Sequence, residues 1–345
     1  MTASPDVLVS DRSTVAAAGE HALIARIRQR LPAPPEWLVV PPGDDAAVVA
    51  PVRNAFDVIT TDACIEGVHF DRRFVPPDAI GHRALAANLS DLAAMGAEPR
   101  YALLSLALPA SLPLPDFDAI LDGLLSEAVR HHVAIAGGNI SSSPGPLVID
   151  VTAVGTVRPR RFMRRDGARP GDVVFVSGAI GAARAGLELR RMAADDSGTD
   201  SASLSLRYLR PEARVRLGLQ LARRQAATAC IDLSDGLADG LRQLAGASGA
   251  GFAIDAGALP IDPAARQWFE RQGQDPVAAA VAGGDDYELL FTVSPKRLGR
   301  LRGVERLVRG LPLTRIGTVT KERGVALRRG THVEDLPAGH EHFAE

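Results

Sequence analysis

Acidic residues stand where the predicted strands of this 345-residue chain meet glycine-rich turns. They occur in the segments GDDAAVV (43–49), TTDACIEGVHF (60–70), NLSDLAAMGA (88–97), IDLSDGL (231–237) and GGDDYEL (283–289). One such aspartate alone commonly caps a helix or accepts backbone N–H groups, and that alternative stays open for each. Together with nearby threonine and serine hydroxyls, however, they form a set of hard oxygen ligands of the kind that Mg²⁺ accepts. Carboxylates alone repel a polyphosphate, whereas carboxylates bridged by metal hold one.

The sequence lacks two other common kinds of site, a phosphate-binding P-loop and a zinc site. The chain contains no GxxxxGK[ST] segment, so a phosphate-cradling P-loop is not expected. Its cysteines and histidines also lack the spacing of a zinc site. Any nucleotide chemistry must therefore depend on metal bound by acidic residues.

The composition is that of an ordinary globular protein, with 46% hydrophobic and 23% charged residues. The 39 Lys and Arg residues against 41 Asp and Glu leave no basic excess, so we expect no nucleic-acid partner. Cys64 and Cys230 are too few for a disulfide framework and indicate a reducing compartment. The sequence shows neither a signal peptide nor a membrane span, so we expect a cytoplasmic protein.

Alternating strands and helices must position the acidic residues. A strand at 57–61 precedes Asp62, a helix at 80–95 carries Asp91 beside Asn88 and off the apolar stripe, and a strand at 133–136 runs into Gly137-Gly138-Asn139. An arginine-rich linker follows near 158, and 194–205 has the low complexity of a surface loop. We therefore predict an α/β (α+β layered) chain of two domains, 1–158 and 159–345.

The order of these motifs closely resembles the thiamine-monophosphate kinase family. The resemblance covers residues 19–343 and continues through GGNISSSPGPLVIDVTAVGTV, RRDGARPGDVVFVSG and GGDDYELLFTV to IGTV and GHEHF. This family shares a superfamily with aminoimidazole ribonucleotide synthetase, selenophosphate synthetase and a hydrogenase maturation protein. The resemblance implies that ATP phosphorylates thiamine monophosphate to thiamine diphosphate by direct in-line transfer with several Mg²⁺ ions. It also implies a homodimer in which N-terminal strands of two subunits pair into a barrel, with ATP in a cleft near the interface.

The resemblance also implies roles for individual residues. Asp62, Asp91 and Asp232 would form the catalytic metal core. The other positions would bind metal, ATP or the substrate. The implied metal ligands are Asp45, Thr60, Thr61, Asp62, Asp91, Asn139, Asp232 and Asp235; the ATP contacts are Gly138, Asn139, Arg165 and Ser234; the substrate contacts are His69, Asp285 and His340.

Three positions depart from the family pattern. Asn139 stands where the family often has Asp, so it keeps a carbonyl oxygen but lacks the negative charge, and one magnesium site is expected to be weaker or rearranged. Asp285 replaces a common Glu, and His340 replaces an aromatic ring that would stack on thiamine more strongly. We interpret all three as tuning of the site.

Two alternatives remain. One is another ATP-dependent kinase or synthetase of the superfamily with a different substrate; a selenophosphate synthetase would be expected to carry a reactive cysteine before Cys64, and none is present. The other is a nucleotide-binding protein without turnover, which would be expected to have lost several metal ligands rather than one.

Overall fold

The computed structural model describes residues 14–192 and 199–339. Its first half alternates helices with strands, and the longest of them lie close to their sequence-predicted positions. These elements are α1 (Val15–Ala18), α2 (Glu20–Arg30), β1 (Leu38–Val40), β2 (Val48–Val49), β3 (Phe56–Ile65), α3 (Pro77–Ala94), β4 (Glu98–Pro109), α4 (Leu114–Arg130), β5 (Ala134–Ser143) and β6 (Val148–Val157).

The four long strands of this half form one sheet in the order β3-β6-β4-β5. Strands β4 and β5 run parallel, because helix α4 connects them as a crossover, and the other pairs are antiparallel. Helices α3 and α4 pack against each other, and Leu85, Leu89 and Leu92 of α3 are fully buried in the core. The opposite face of the sheet is open: Ile59 is 68% exposed and Leu103 is 38% exposed. Within the single chain this sheet does not close into a barrel.

The second half is built on a seven-stranded sheet in the order β13-β12-β9-β11-β7-β10-β8. All its pairs are antiparallel except β12 with β9. Its elements are β7 (Val173–Ser177), α5 (Ala182–Arg191), α6 (Thr199–Leu209), α7 (Val215–Arg224), β8 (Ala229–Asp232), α8 (Leu237–Ser248), β9 (Gly251–Asp255), α9 (Pro263–Arg271), α10 (Pro276–Ala282), β10 (Leu289–Val293), α11 (Leu298–Glu305), β11 (Leu313–Thr320), β12 (Gly324–Arg329) and β13 (His332–Asp335).

Two hydrophobic clusters cover the two faces of this second sheet. Val174 and Val176 of β7 belong to a cluster formed within the second half. Phe175 and Phe291, whose rings stack 5.6 Å apart, belong to the cluster that also contains the α3 leucines. The two halves therefore share a continuous core through α3 and α7, and this packing places the end of β8 beside α3.

Three details differ from the sequence-based expectations. Gly137-Gly138-Asn139 does not end a strand but lies inside β5. A Cβ at Gly138 would lie 2.0 Å from the Leu104 carbonyl oxygen, so glycine permits the close approach of β4 and β5. Asn88, three residues before Asp91 in α3, does not lie on a polar face: it is fully buried and its amide donates to the Ala84 carbonyl oxygen at 3.1 Å.

The expected surface loop at 194–205 is also partly wrong. Residues 199–209 form helix α6, and residues 194–198 lie outside the described part of the chain. Leu204 is 1% exposed, and its carbonyl oxygen lies where a Cβ on Gly186 of α5 would be. The low-complexity composition concealed a helix because alanine, serine and leucine also suit a helix that packs closely on a glycine. In the described ranges, no helix has the length and apolar character needed to cross a membrane.

Candidate active site

Three of the predicted aspartates meet in one cavity between the two halves. Asp62 lies near the end of β3, Asp91 in the last turn of α3, and Asp232 at the end of β8. All three line a cavity of about 1270 Å³, and Ser234 and Asp235 from the turn after β8 line it too. Residues separated by up to 170 positions in the chain (62 to 232) are therefore neighbours because α3 packs against both sheets.

Hydroxyl groups hold two of these carboxylates in place. Ser90 Oγ donates to Asp232 Oδ2 at 2.8 Å, which links α3 to β8 across the boundary between the halves. The Thr60 hydroxyl donates to Asp91 Oδ2 and links β3 to α3 in the same way. Since each bond uses only one oxygen of its carboxylate, the other oxygen remains available to a ligand.

The electrostatics show an excess of buried negative charge. Burial, together with the nearby charges of Asp91, Asp150 and Asp235, raises the pKa of Asp62 to about 6. Burial likewise raises the pKa values of Asp91 and Asp232, and the charge of Asp91 adds to the rise at Asp232. A cation bound among these groups would offset the repulsion and favour their ionised forms.

The donor set suits magnesium. Within residues 14–192 and 199–339, no three His, Cys, Asp or Glu side chains are grouped to hold an ion by themselves. Mg²⁺ ordinarily takes one or two carboxylates and completes its shell with waters and substrate phosphates, so it does not need such a cage. Buried carboxylate pairs beside threonine and serine hydroxyls therefore fit this ion and do not fit one that prefers nitrogen or sulfur ligands.

The predicted substrate residues His69 and Asp285 line the same cavity. His69 follows the end of β3, and its Nδ1 accepts a hydrogen bond from the Ile65 backbone N–H at 3.1 Å. Because that nitrogen is the acceptor, the neutral ring carries its proton on Nε2. His69 can therefore donate a hydrogen bond from Nε2.

Arg83 positions Asp285 and was missed by the sequence analysis. Its side chain is 4% exposed, and its Nη2 donates to Asp285 Oδ1 at 3.0 Å. The guanidinium also donates to the Tyr208 carbonyl oxygen and lies 4.4 Å from the Tyr208 ring centroid. The only indication of Arg83 in the sequence is its residue type, because a charged residue in the buried part of an apolar helix requires a partner.

The GGDDYEL segment is held in an uncommon backbone conformation. Asp285 and Tyr287 both have positive φ, 66° and 51°, and their N–H groups donate to the Ser234 and Leu233 carbonyl oxygens at 2.7 and 3.0 Å. Between them, the buried Asp286 accepts N–H bonds from Gly181 and Ala183 at the start of α5. Its position explains why two adjacent aspartates differ: Asp286 anchors the turn, and Asp285 faces the cavity.

Glu288 completes this anchor. It is fully buried and accepts a hydrogen bond from Ser177 Oγ at 2.6 Å, while Arg207 and Arg214 form ion pairs with it. A buried carboxylate with two guanidinium partners and a hydroxyl has its hydrogen-bonding needs met, and these contacts join the turn to β7 and α6. The sequence alone did not distinguish Glu288 from an ordinary strand residue.

The remaining predicted residues lie outside the cavity lining. Asp45 is exposed between β1 and β2, where its N–H donates to Asp44 Oδ1. Thr61 and Asn139 project from the open face of the first sheet, and Gly138 lies beside Asn139 in β5. Arg165 contacts Gln243, and its charge offsets part of the rise that burial causes in the pKa values of Asp91 and Asp232. His340 lies outside the described residues.

Comparison with known families defines the class of protein first. Residues 43–157 match the family model described as AIR synthase related protein, N-terminal domain, and residues 169–330 match the corresponding C-terminal domain. The fold is also similar to that of the E. coli hydrogenase maturation protein HypE, with a TM-score of 0.76 over 92% of this chain and 98% of that one, at 21% identity.

The more similar relatives then narrow the class. A thiamine-monophosphate kinase of Aquifex aeolicus is 38% identical over 325 residues, covering 94% of this chain and 98% of that one. One from Rhodopirellula baltica is 36% identical, covering 90% and 93%. A solved thiamine-monophosphate kinase from Stenotrophomonas maltophilia superposes with a TM-score of 0.76 at 38% identity, covering 89% and 94%. The chain belongs to the thiamine-monophosphate kinase family.

One relative has been solved with ligands. The structure of AaThiL in complex with AMPPCP and TMP has a TM-score of 0.75 and 36% identity to this chain, covering 94% of this chain and 97% of that one. AMPPCP is an ATP analogue that resists transfer of its terminal phosphoryl group. The relative therefore binds a nucleotide and TMP together.

Proposed function

We propose that this chain transfers the γ-phosphoryl group of ATP to thiamine monophosphate, giving thiamine diphosphate and ADP. The observation that carries the proposal is the meeting of Asp62, Asp91 and Asp232 in one cavity, in a chain whose relative binds AMPPCP and TMP together. A phosphate oxygen of thiamine monophosphate forms the new bond to the γ-phosphorus. The bond from that phosphorus to the β,γ-bridging oxygen breaks, and ADP leaves with its electron pair.

The acceptor needs little help from a base. The second pKa of a phosphate monoester is about 6, so its attacking oxygen is already unprotonated at neutral pH. The protein must therefore align two anions and reduce the repulsion between them. His69 donates from Nε2 toward the acceptor phosphate, and Asp285, fixed by Arg83, suits the cationic thiazolium and the amino group of thiamine. His340 is the further substrate position.

Magnesium bound at the carboxylates would neutralise charge on the transferred phosphoryl group. Asp62, Asp91 and Asp232 would hold it, with Asp45, Thr60, Thr61, Asn139 and Asp235 as the further ligand positions. Gly138, Asn139, Arg165 and Ser234 would contact ATP. The proximity of Arg165 to Asp91 and Asp232 supports its place near the phosphates.

The test is chromatography of the products formed from ATP, Mg²⁺ and thiamine monophosphate, with omission of each in turn. Thiamine diphosphate formed only in the complete mixture supports the proposal. ADP formed with another phosphate acceptor, but no thiamine diphosphate, would favour a different substrate within the superfamily. Nucleotide binding without ADP release would favour a binding protein without turnover.

We also propose a homodimer in which the open faces of two four-stranded sheets form the inner wall of a barrel. The exposed Ile59 and Leu103 support it, because such apolar side chains gain most from cover by a second sheet. Ile59→Asp should shift the mass in light scattering to that of one chain. Val129→Asp, at an exposed position of α4, is the control and should leave the mass unchanged. A wild-type chain of monomer mass would refute this arrangement.

We place the domain boundary near residue 158, because the two sheets occupy residues 56–157 and 173–335 on either side of it.

We place the protein in the cytoplasm, supported by the two buried free thiols of Cys64 and Cys230.

A further inference from the structure

The last described segment of the chain, residues 336–339, forms part of the wall of the candidate active site. It follows strand β13 and lies outside the helices and strands. Ala338 and Gly339 line the same cavity as Asp232 and Asp285. Because the segment belongs to no sheet, contacts other than sheet hydrogen bonds must hold this wall in place.

Arg242 of α8 supplies such contacts. Its Nη2 donates to the Leu336 carbonyl oxygen at 3.0 Å and to the Pro337 carbonyl oxygen at 2.7 Å. One guanidinium nitrogen of this kind carries two hydrogens, so it can serve both oxygens. The Leu336 side chain also packs against the hydrophobic cluster of the second half. Two consecutive residues are therefore bound to α8 immediately before the two that line the cavity.

The end of the segment lies against the start of α8. A Cβ added to Gly339 would be 3.3 Å from the Asp239 Cβ and 3.6 Å from the Asp235 carbonyl oxygen. The turn that contains Asp235 is itself in close contact with Gly284, where an added Cβ would be 2.6 Å from the Ser234 carbonyl oxygen. The segment 336–339 therefore lies beside the turn after β8, and that turn lies beside the GGDDYEL segment, which contains the proposed substrate carboxylate.

We propose that Arg242 is a positioning residue for the acceptor substrate: it holds residues 336–339 as a wall of the cavity, against which thiamine monophosphate binds. The inference depends on the proposed function for the identity of that substrate. Arg242 itself is exposed and lines a separate surface recess, so it acts through the segment and not by touching the substrate. Without Arg242 the segment has more conformational freedom, and substrate binding must then order it at a cost in free energy.

The first experiment measures the mobility of the segment without any substrate. A nitroxide spin label is attached to the full-length protein at the exposed position 338 through Ala338→Cys, since Cys64 and Cys230 are buried. Arg242→Met should narrow the lines of the electron paramagnetic resonance spectrum. Arg323→Met is the matched control, because Arg323 is an exposed arginine of the same surface recess, and it should leave the spectrum unchanged. An unchanged spectrum for Arg242→Met would overturn the inference.

The second experiment measures steady-state kinetics on the unlabelled protein. Arg242→Met should raise the KM for thiamine monophosphate about 5- to 20-fold, toward the lower end for two hydrogen bonds because water competes at an exposed site. It should lower kcat by less than about threefold, since the carboxylate cluster is retained. Arg242→Lys keeps a donor and should recover most of the KM, and Arg323→Met should change neither constant.

Two kinetic results would also overturn the inference. A narrowed spectrum with an unchanged KM would mean that the segment is held but does not contact the substrate. A lower melting temperature with equal effects on kcat and kcat/KM would mean that Arg242 has only a structural role. A wild-type protein that makes no thiamine diphosphate would instead refute the proposed function, and the spectra would still decide whether Arg242 holds the wall.

Discussion

Replacing Arg83 and replacing Asp285, which form an ion pair, should lower the stability of the fold by unequal amounts. The Arg83 side chain is 4% exposed, whereas that of Asp285 is 31% exposed. Asp285→Asn removes the negative charge beside a buried guanidinium, which keeps its contacts with Tyr208. Arg83→Met leaves a carboxylate that water reaches from the cavity. We therefore expect Asp285→Asn to destabilise the fold more than Arg83→Met does.

The magnitudes follow from this burial. Asparagine tolerates the positive φ of 66° at residue 285, so Asp285→Asn removes charge without adding backbone strain. Breaking a buried ion pair costs about 3–5 kcal/mol, and the amide oxygen of Asn retains a hydrogen bond from Arg83, so we expect about 2–3 kcal/mol. Arg83→Met should cost about 1.5 kcal/mol, the lower end of the range for one hydrogen bond to a charged group, because water can replace Arg83 at the carboxylate. In the double variant the buried charge is gone, so the costs should not add.

Urea unfolding followed by circular dichroism measures these free energies, and the KM for thiamine monophosphate measures the effect on the substrate. Both single variants should raise KM more than they lower kcat, because Asp285 either loses its charge or loses the partner that fixes it, while the carboxylate cluster is retained. Asp116→Asn is the control: its pair with Arg72 is 2.9 Å long but exposed at 27% and 33%, and exposed pairs contribute about 0–1 kcal/mol. Costs that add to within about 0.5 kcal/mol, or a larger cost for Arg83→Met, would refute the reasoning.

Three further predictions concern separate parts of the molecule. Asp62→Asn should lower kcat about 100-fold or more at saturating Mg²⁺, since it removes charge from the carboxylate cluster; a loss within about threefold would contradict the site. Leu204→Ala should destabilise the fold by about 2–5 kcal/mol in urea unfolding, because Leu204 is fully buried; no loss would mean that α6 does not pack on α5. Burial raises the pKa of Asp286 to about 7 from its ordinary 3.8, so the folded state binds its proton more tightly and loses stability as pH rises between these values. Asp286→Asn should flatten that decline in urea unfolding at pH 4 and pH 7, and an equally steep decline would refute the role of burial.

Much of the local structure followed from the sequence. The apolar spacing of Leu85, Leu89 and Leu92 predicted α3, and the alternation of strands and helices predicted two α/β layers. These features are local, since a helical stripe or a strand is recognised over a dozen residues. The helix at 199–209 was missed because its identity depends on packing against α5 rather than on its own pattern.

The candidate site, like the fold, could be predicted from the sequence only in part. The residue types and the chain order of Asp62, Asp91 and Asp232 were enough to indicate a metal site with oxygen ligands. The sequence did not indicate that Arg83, 202 residues away, meets Asp285, or that Ser90 of α3 meets Asp232 of β8. Sheet register and helix packing decide such pairs, and single-sequence periodicity contains neither.

By itself, then, the sequence determined the chemistry available to this protein: clustered carboxylates and hydroxyls after apolar strands, without a P-loop or a zinc site. Only the tertiary structure decided which carboxylates act together, because Asp285 and Asp286 are adjacent in the chain yet one faces the cavity and the other caps α5. The physical reason is that burial and distance determine the charge and hydrogen bonding of a carboxylate, and both are properties of the packed fold rather than of the residue type.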